Sequence, residues 1–136
     1  MENFQKKLMA LTMIVGALLG LSNMSFAQDV VKLMPAMHKL LLDNDDVKIY
    51  EATYKPGDKA PMHSHPKHIV YTLSGGKITM TGKDGKMEER SMAAGDVREN
   101  PALTHATENT GDTEVKVLVI ELKHSMVHKM MDKKKM

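Results

Sequence analysis

Cysteine and tryptophan are both absent from this 136-residue chain, and only two phenylalanines and three tyrosines are present. Without cysteine there is no disulfide, no thiolate metal ligand and no cysteine-linked lipid anchor. Stability must then come from packing or from a bound ion. With Phe4 and Phe26 near the start, the aromatics available to a core further along are Tyr50, Tyr54 and Tyr71. No charge predominates, with 19 Lys+Arg against 17 Asp+Glu. A balance so near neutral gives no case for nucleic-acid binding. Nor is there an apolar run of the roughly 20 residues that span a bilayer.

The longest apolar run, Leu8 to Leu21, follows Lys6 and Lys7 and precedes Ser25-Phe26-Ala27. That order of basic, apolar and small residues reads as an export signal over residues 1–27, cleaved before Gln28. A periplasmic or secreted product with no stable membrane association is the expectation. Removing residues 1–27 from 136 leaves 109, one domain's worth. Losing Lys6, Lys7 and Glu2 leaves 17 basic and 16 acidic residues.

Short runs bounded by Gly, Pro, Asn and Asp fill residues 38–123. They predict strands at 38–42, 47–54, 60–65, 68–74, 77–81, 86–92, 96–99, 104–109 and 114–123, preceded by a leader over 28–37. Lys83-Asp84-Gly85-Lys86 predicts a tight hairpin turn. Regular short strands favour a sandwich or barrel over a parallel α/β sheet. In the last strand Val115, Val117 and Val119 alternate with Lys116, Leu118 and Ile120, so both faces are apolar beyond Lys116. Such a strand is buried on both sides or turns one face to another subunit, and a homodimer is expected. Residues 124–136 are rich in Lys, Met and His. Ser125 there either caps a short helix pairing His124 with His128 and Met126 with Met130, or belongs to a frayed, solvated tail. A His/Met surface of that kind suits copper. Of the 14 methionines, four lie in the export segment and several others replace Leu as core filler.

His63 and His65 carry the chemistry. Separated by Ser64, both imidazoles leave one strand face if the segment is extended and can converge on one ion; the alternative for an isolated pair is surface decoration. With Gly57 ahead and Gly76 behind, and with Gly95, Pro101, His105 and Asn109 downstream, the chain resembles the cupin superfamily across residues 38 to 123. The resemblance implies an all-β, single cupin-type double-stranded β-helix, a jelly-roll barrel, with a short helical or disordered C-terminal tail. It also implies that His63, His65 and His105 are metal ligands.

Two positions depart from the family pattern. Ile69 stands where the first motif has a Glu ligand. The segment between Pro101 and His105 is one residue short, with Leu103 where the family has Gly. The expected site is therefore three-His. His68, one residue early, replaces the missing Glu only if Pro66 changes the strand register. Tyr71 shares the alternation of Ile69 and is expected to point inward beside the site. Arg98, Glu99 and Asn100 form a polar run that is either an exposed edge or a pocket lining. In a pocket, Glu99 is a candidate acid/base or replacement metal ligand and Arg98 a candidate anchor for an anionic substrate.

The resemblance implies a metal-dependent dioxygenase or isomerase acting on a small polar or anionic molecule. The alternative is a non-catalytic sensor or carrier that holds a small ligand with or without metal. Imidazole ligands accept iron, manganese, nickel, zinc and copper, and the sequence does not choose among them.

Overall fold

The computed structural model describes residues 29–123. Residues 1–27, expected from the sequence to be an export signal, and the His/Met tail lie outside the described residues. A four-residue helix, α1 (Val30–Leu33), is followed by nine strands: β1 (His38–Asp43), β2 (Val47–Tyr54), β3 (Lys59–His65), β4 (His68–Ser74), β5 (Gly76–Gly82), β6 (Met87–Met92), β7 (Val97–Asn100), β8 (Leu103–Asn109) and β9 (Val115–Leu122). All nine strands read from the sequence are present, each within a residue or two of its expected ends. The leader forms α1, capped by the Asp29 side chain accepting from the Val31 amide at 3.1 Å. Val30 is buried, so this segment is part of the core.

The strands form two antiparallel sheets, one ordered β1-β2-β9-β4-β7 and the other β3-β8-β5-β6. Their apposed faces make the double-stranded β-helix read from the sequence. The alternation of β2 and β9 builds the inner face of the larger sheet. Tyr50, Ala52 and Tyr54 are buried and pair across the ladder with Val119, Val117 and Val115. The two outer rungs set a tyrosine beside a valine, a pairing that stabilises antiparallel strands, and Ala52 stands opposite Val117 between them.

Of the two alternatives expected for β9, burial on both sides within the chain is not met on its outer face. Lys116, Leu118, Ile120 and Leu122 are only half-buried. Beside them Tyr71 pairs with both Leu118 and Val97. The valine face is the core, while the Leu/Ile face is only partly covered among the described residues.

Turns carry the glycines that matter. Gly85 adopts φ +80° in the Lys83–Lys86 turn, where the Gly82 amide donates to the Lys86 carbonyl at 2.9 Å. Gly95, at φ +90°, lets its amide reach the Thr72 carbonyl at 2.8 Å and so ties the β6–β7 turn to β4. Asn109, fully buried, donates through Nδ2 to the Tyr54 and Thr113 carbonyls at 2.8 Å each and accepts from the Gly111 amide at 3.0 Å. It clamps the end of the barrel away from the histidines.

Candidate metal centre

Strict alternation along β3 would put Ala60, Met62 and Ser64 on the inner face. The pairing instead runs Ala60 to Thr107 and then His63 to His105, three residues against two. This is a β-bulge at Pro61-Met62, a site compatible with proline because no ladder donor is needed there. The bulge inverts the phase. His63 and His65 turn inward and Met62 outward. His105, directly across the ladder from His63, enters from β8.

The three imidazoles form one group. The ring centroids of His63 lie 4.7 Å from those of His65 and of His105, and those of His65 and His105 are 5.2 Å apart. One nitrogen from each lies within 4.8 Å of the others, and all three side chains are buried. The surroundings assign the tautomers. His63 Nδ1–H donates to the Pro61 carbonyl at 2.7 Å, and His65 Nδ1–H donates to Glu121 Oε1 at 2.8 Å. Each thereby keeps its lone pair on Nε2, as a ligand does when its other nitrogen is held by an outer acceptor.

His105 supplies the test of fit. Both its nitrogens are buried and neither has a hydrogen-bond partner. Leaving a buried polar group unsatisfied costs about 1–3 kcal/mol. His38 shows the contrast. It is just as buried, yet its Nδ1 lies 3.2 Å from the Met34 carbonyl and its Nε2 3.2 Å from the Tyr54 hydroxyl. An imidazole without a partner, facing two others with free lone pairs, fits a divalent ion, and the all-nitrogen donor set fits a transition metal over calcium or magnesium.

Glu121 was not singled out in the sequence. Its carboxylate, buried at the end of β9, accepts from His65 and from the Tyr50 hydroxyl at 3.1 Å. Burial, then the Glu121 carboxylate, push the Tyr50 hydroxyl far above its ordinary range, so Tyr50 remains a donor. The signal was available: Val115, Val117, Val119 and Glu121 share one face, and a carboxylate continuing a buried valine row needs a partner.

Four expectations change or divide. His68 faces inward, 4.7 Å from His65 between ring centroids, with Nδ1–H donating to the Pro66 carbonyl at 2.8 Å. It is outside the group that converges within 4.8 Å. Tyr71 points outward and is 40% exposed, so the expectation that it lies beside the site is corrected. The reason is shared. β3 ends at His65 and β4 begins at His68, so the break at Pro66-Lys67 resets the alternation that had been carried from His65 through Ile69 to Tyr71.

The polar run of β7 is both edge and lining. Arg98 and Asn100, opposite Val70 and His68 on β4, line the cavity. Glu99 faces out and pairs with Lys67 at 2.8 Å, which corrects its candidacy as an acid/base or replacement ligand in the pocket.

The cavity encloses about 80 Å³ above the histidines. That is well below the ~300–1,000 Å³ of drug-sized sites. Burial, then neighbouring imidazoles, lower the pKa of His105 to about 3; burial is also the main cause lowering His63 to about 4. Burial likewise lowers His68. These groups take up protons more readily in the unfolded chain, near 6.5, than in the folded one. Folding stability is therefore fully present above pH 6.5 and falls as pH drops toward 4 and 3. At about 1.4 kcal/mol per unit the loss reaches several kcal/mol. The melting temperature of the metal-free chain is expected to be flat above pH 7 and to decline steadily below 6.5; a flat profile down to pH 4 would contradict buried neutral imidazoles.

Comparison with known proteins agrees with this geometry. A family model described as Cupin domain matches residues 50–121. No curated protein sequence matches the chain. A solved cupin domain from Bordetella pertussis Tohama I is 25% identical with a TM-score of 0.60, covering 64% of this chain and 92% of that one. A cupin-like protein from Thermotoga maritima MSB8 is also 25% identical, with a TM-score of 0.52 and coverage of 63% and 67%. A polyketide cyclase from Streptomyces resistomycificus, 23% identical with a TM-score of 0.50 over 64% of each chain, shares the fold.

Proposed function

This chain belongs to the cupin family, and on that premise we propose that it is an exported metalloprotein in which His63, His65 and His105 hold one divalent transition-metal ion. The ion serves dioxygenase- or isomerase-type chemistry on a small molecule. The observation that carries the reading is the pair of unpartnered buried nitrogens of His105, set against two imidazoles whose Nε2 lone pairs are free. Bound there, such an ion supplies Lewis acidity or a redox-active centre. The chain's own part is orientation. Glu121 and the Pro61 carbonyl fix the imidazole tautomers, and the apolar walls around Val70, Met80 and Met92 limit water. His68 Nε2, at the cavity wall, is the side chain placed to hold or accept a substrate proton.

One observation favours the alternative of a binding protein that holds its ligand without turning it over. Among the described residues no Asp or Glu lines the cavity, and the nearby Glu121 is engaged behind His65 and not presented to a ligand. The two readings share the metal site and divide on turnover.

Elemental analysis of the full chain, purified after expression with its own N-terminal segment, tests the shared part. One metal per chain is expected. Iron or manganese would direct the search to oxygen-dependent chemistry, and zinc to Lewis-acid chemistry. Absence of metal even after anaerobic reconstitution would overturn the metalloprotein reading.

A further inference from the structure

An edge strand of each sheet contributes to the cavity lining. β6 is one edge of the four-stranded sheet and β7 one edge of the five-stranded one, and each contributes an arginine to the lining: Arg90 opposite Ile78, and Arg98 opposite Val70. The two arginines are not equivalent. Arg90 already donates through Nε and Nη2 to Glu88 at 2.8 and 3.2 Å, and Glu88 lies outside the cavity. The Arg98 side chain donates no hydrogen bond among the described residues, although its charge acts on Glu88 at longer range. Asn100, two residues on and therefore on the same face, lies beside it. With no acid in the lining, the cavity wall holds two cations that the external Glu88 partly balances.

Deeper in, Val70, Ile78, Met80 and Met92 make the walls apolar. An occupant therefore needs an anionic end and a short carbon body. The geometry points to a small carboxylate as the ligand of this site, an aliphatic acid of a few carbons whose carboxylate is held by the Arg98 guanidinium with help from Asn100, its carbon chain lying against the methionines toward the histidines. A guanidinium presents parallel donors that match a planar carboxylate. The apolar walls disfavour a tetrahedral phosphate, which keeps hydrating water on every side. This assignment rests on the reading of the cavity as the ligand site, and it does not require the metal.

The test is ligand-detected NMR titration of the full chain with butyrate, butyramide and inorganic phosphate, each against metal-free and zinc-loaded protein. Butyrate is expected to bind the metal-free chain at least tenfold more tightly than butyramide or phosphate. Arg98→Gln is expected to abolish that preference, and Arg98→Lys to restore part of it. Because Arg98 sits on an exposed edge, both variants should keep the wild-type melting temperature, and this is checked in parallel. Butyrate binding confined to the zinc-loaded chain and unchanged in Arg98→Gln would mean that the carboxylate merely ligates metal; the proposal then fails and the metal site stands. Binding in neither form, or equal binding of phosphate or butyramide, also overturns it. If zinc does not bind, the metal-free titrations still decide.

Discussion

His105→Ala is expected to reduce bound metal from about one ion per chain to near zero. It should also remove the metal-dependent part of the melting temperature. A ligand that binds only the folded state at 100 times its dissociation constant adds about 2.7 kcal/mol, so the loss is easily measured. A fall in stability alone would not separate a ligand from a packing residue, and the metal-free chain makes that separation. Both His105 nitrogens are buried without partners, at a cost of about 1–3 kcal/mol in the absence of an ion. Replacing the imidazole by an apolar side chain of similar size removes this cost. Metal-free His105→Leu is therefore expected to be at least as stable as the metal-free wild type while binding no metal. A His105→Leu chain that unfolds several degrees lower when metal-free would show that the ring is there for packing, and a chain that keeps its ion would remove His105 from the site.

Most of the fold was legible because each strand announces itself twice, by alternation and by the turn residues that bound it. β9 is the clearest case: its valines fall on one face in the sequence and on the core side in the structure. The three histidines were legible as well, two from their spacing and the third from the resemblance to cupins. What failed was the carrying of alternation across a break. From His65 the count reached Ile69 and Tyr71 as inward residues, whereas a two-residue interruption at Pro66-Lys67 put His68 and Val70 inside. The bulge at Pro61-Met62 is the same kind of event with the opposite outcome, since it places the His-x-His pair correctly. A period of two predicts facing only within an uninterrupted ladder. The polar run of β7 was readable as edge or lining but not as both, because the division between Glu99 outside and Arg98 with Asn100 inside depends on which residue pairs with Val70.

Glu121→Gln is expected to weaken metal binding by about 10–100-fold, the usual cost of losing an outer partner of a ligating imidazole. The substitution keeps the side chain's size and its acceptor oxygen, so the His65 Nδ1–H retains a partner and the barrel should remain folded. What disappears is the negative charge that makes Nε2 of His65 a better donor to a cation. Tyr50→Phe isolates the remaining term. It removes the hydroxyl that donates to Glu121 at 3.1 Å but leaves the carboxylate's charge, so its effect on metal affinity should be smaller than that of Glu121→Gln. Glu121→Ala differs in kind, since it removes the acceptor that the Tyr50 hydroxyl and His65 Nδ1–H share and leaves them only each other, 3.1 Å apart, so that the Tyr50 O–H is unpaired in the core; it should lower the melting temperature as well as the affinity. Competition against a chromogenic chelator gives the affinities, and thermal denaturation of the metal-free proteins gives the stability. If Glu121→Gln lowered the melting temperature but left metal affinity within a factor of two, Glu121 would be a packing partner of Tyr50 and no part of the centre. The expected order, Glu121→Ala weaker than Glu121→Gln and Glu121→Gln weaker than Tyr50→Phe, follows from which groups each change leaves unpaired in the core.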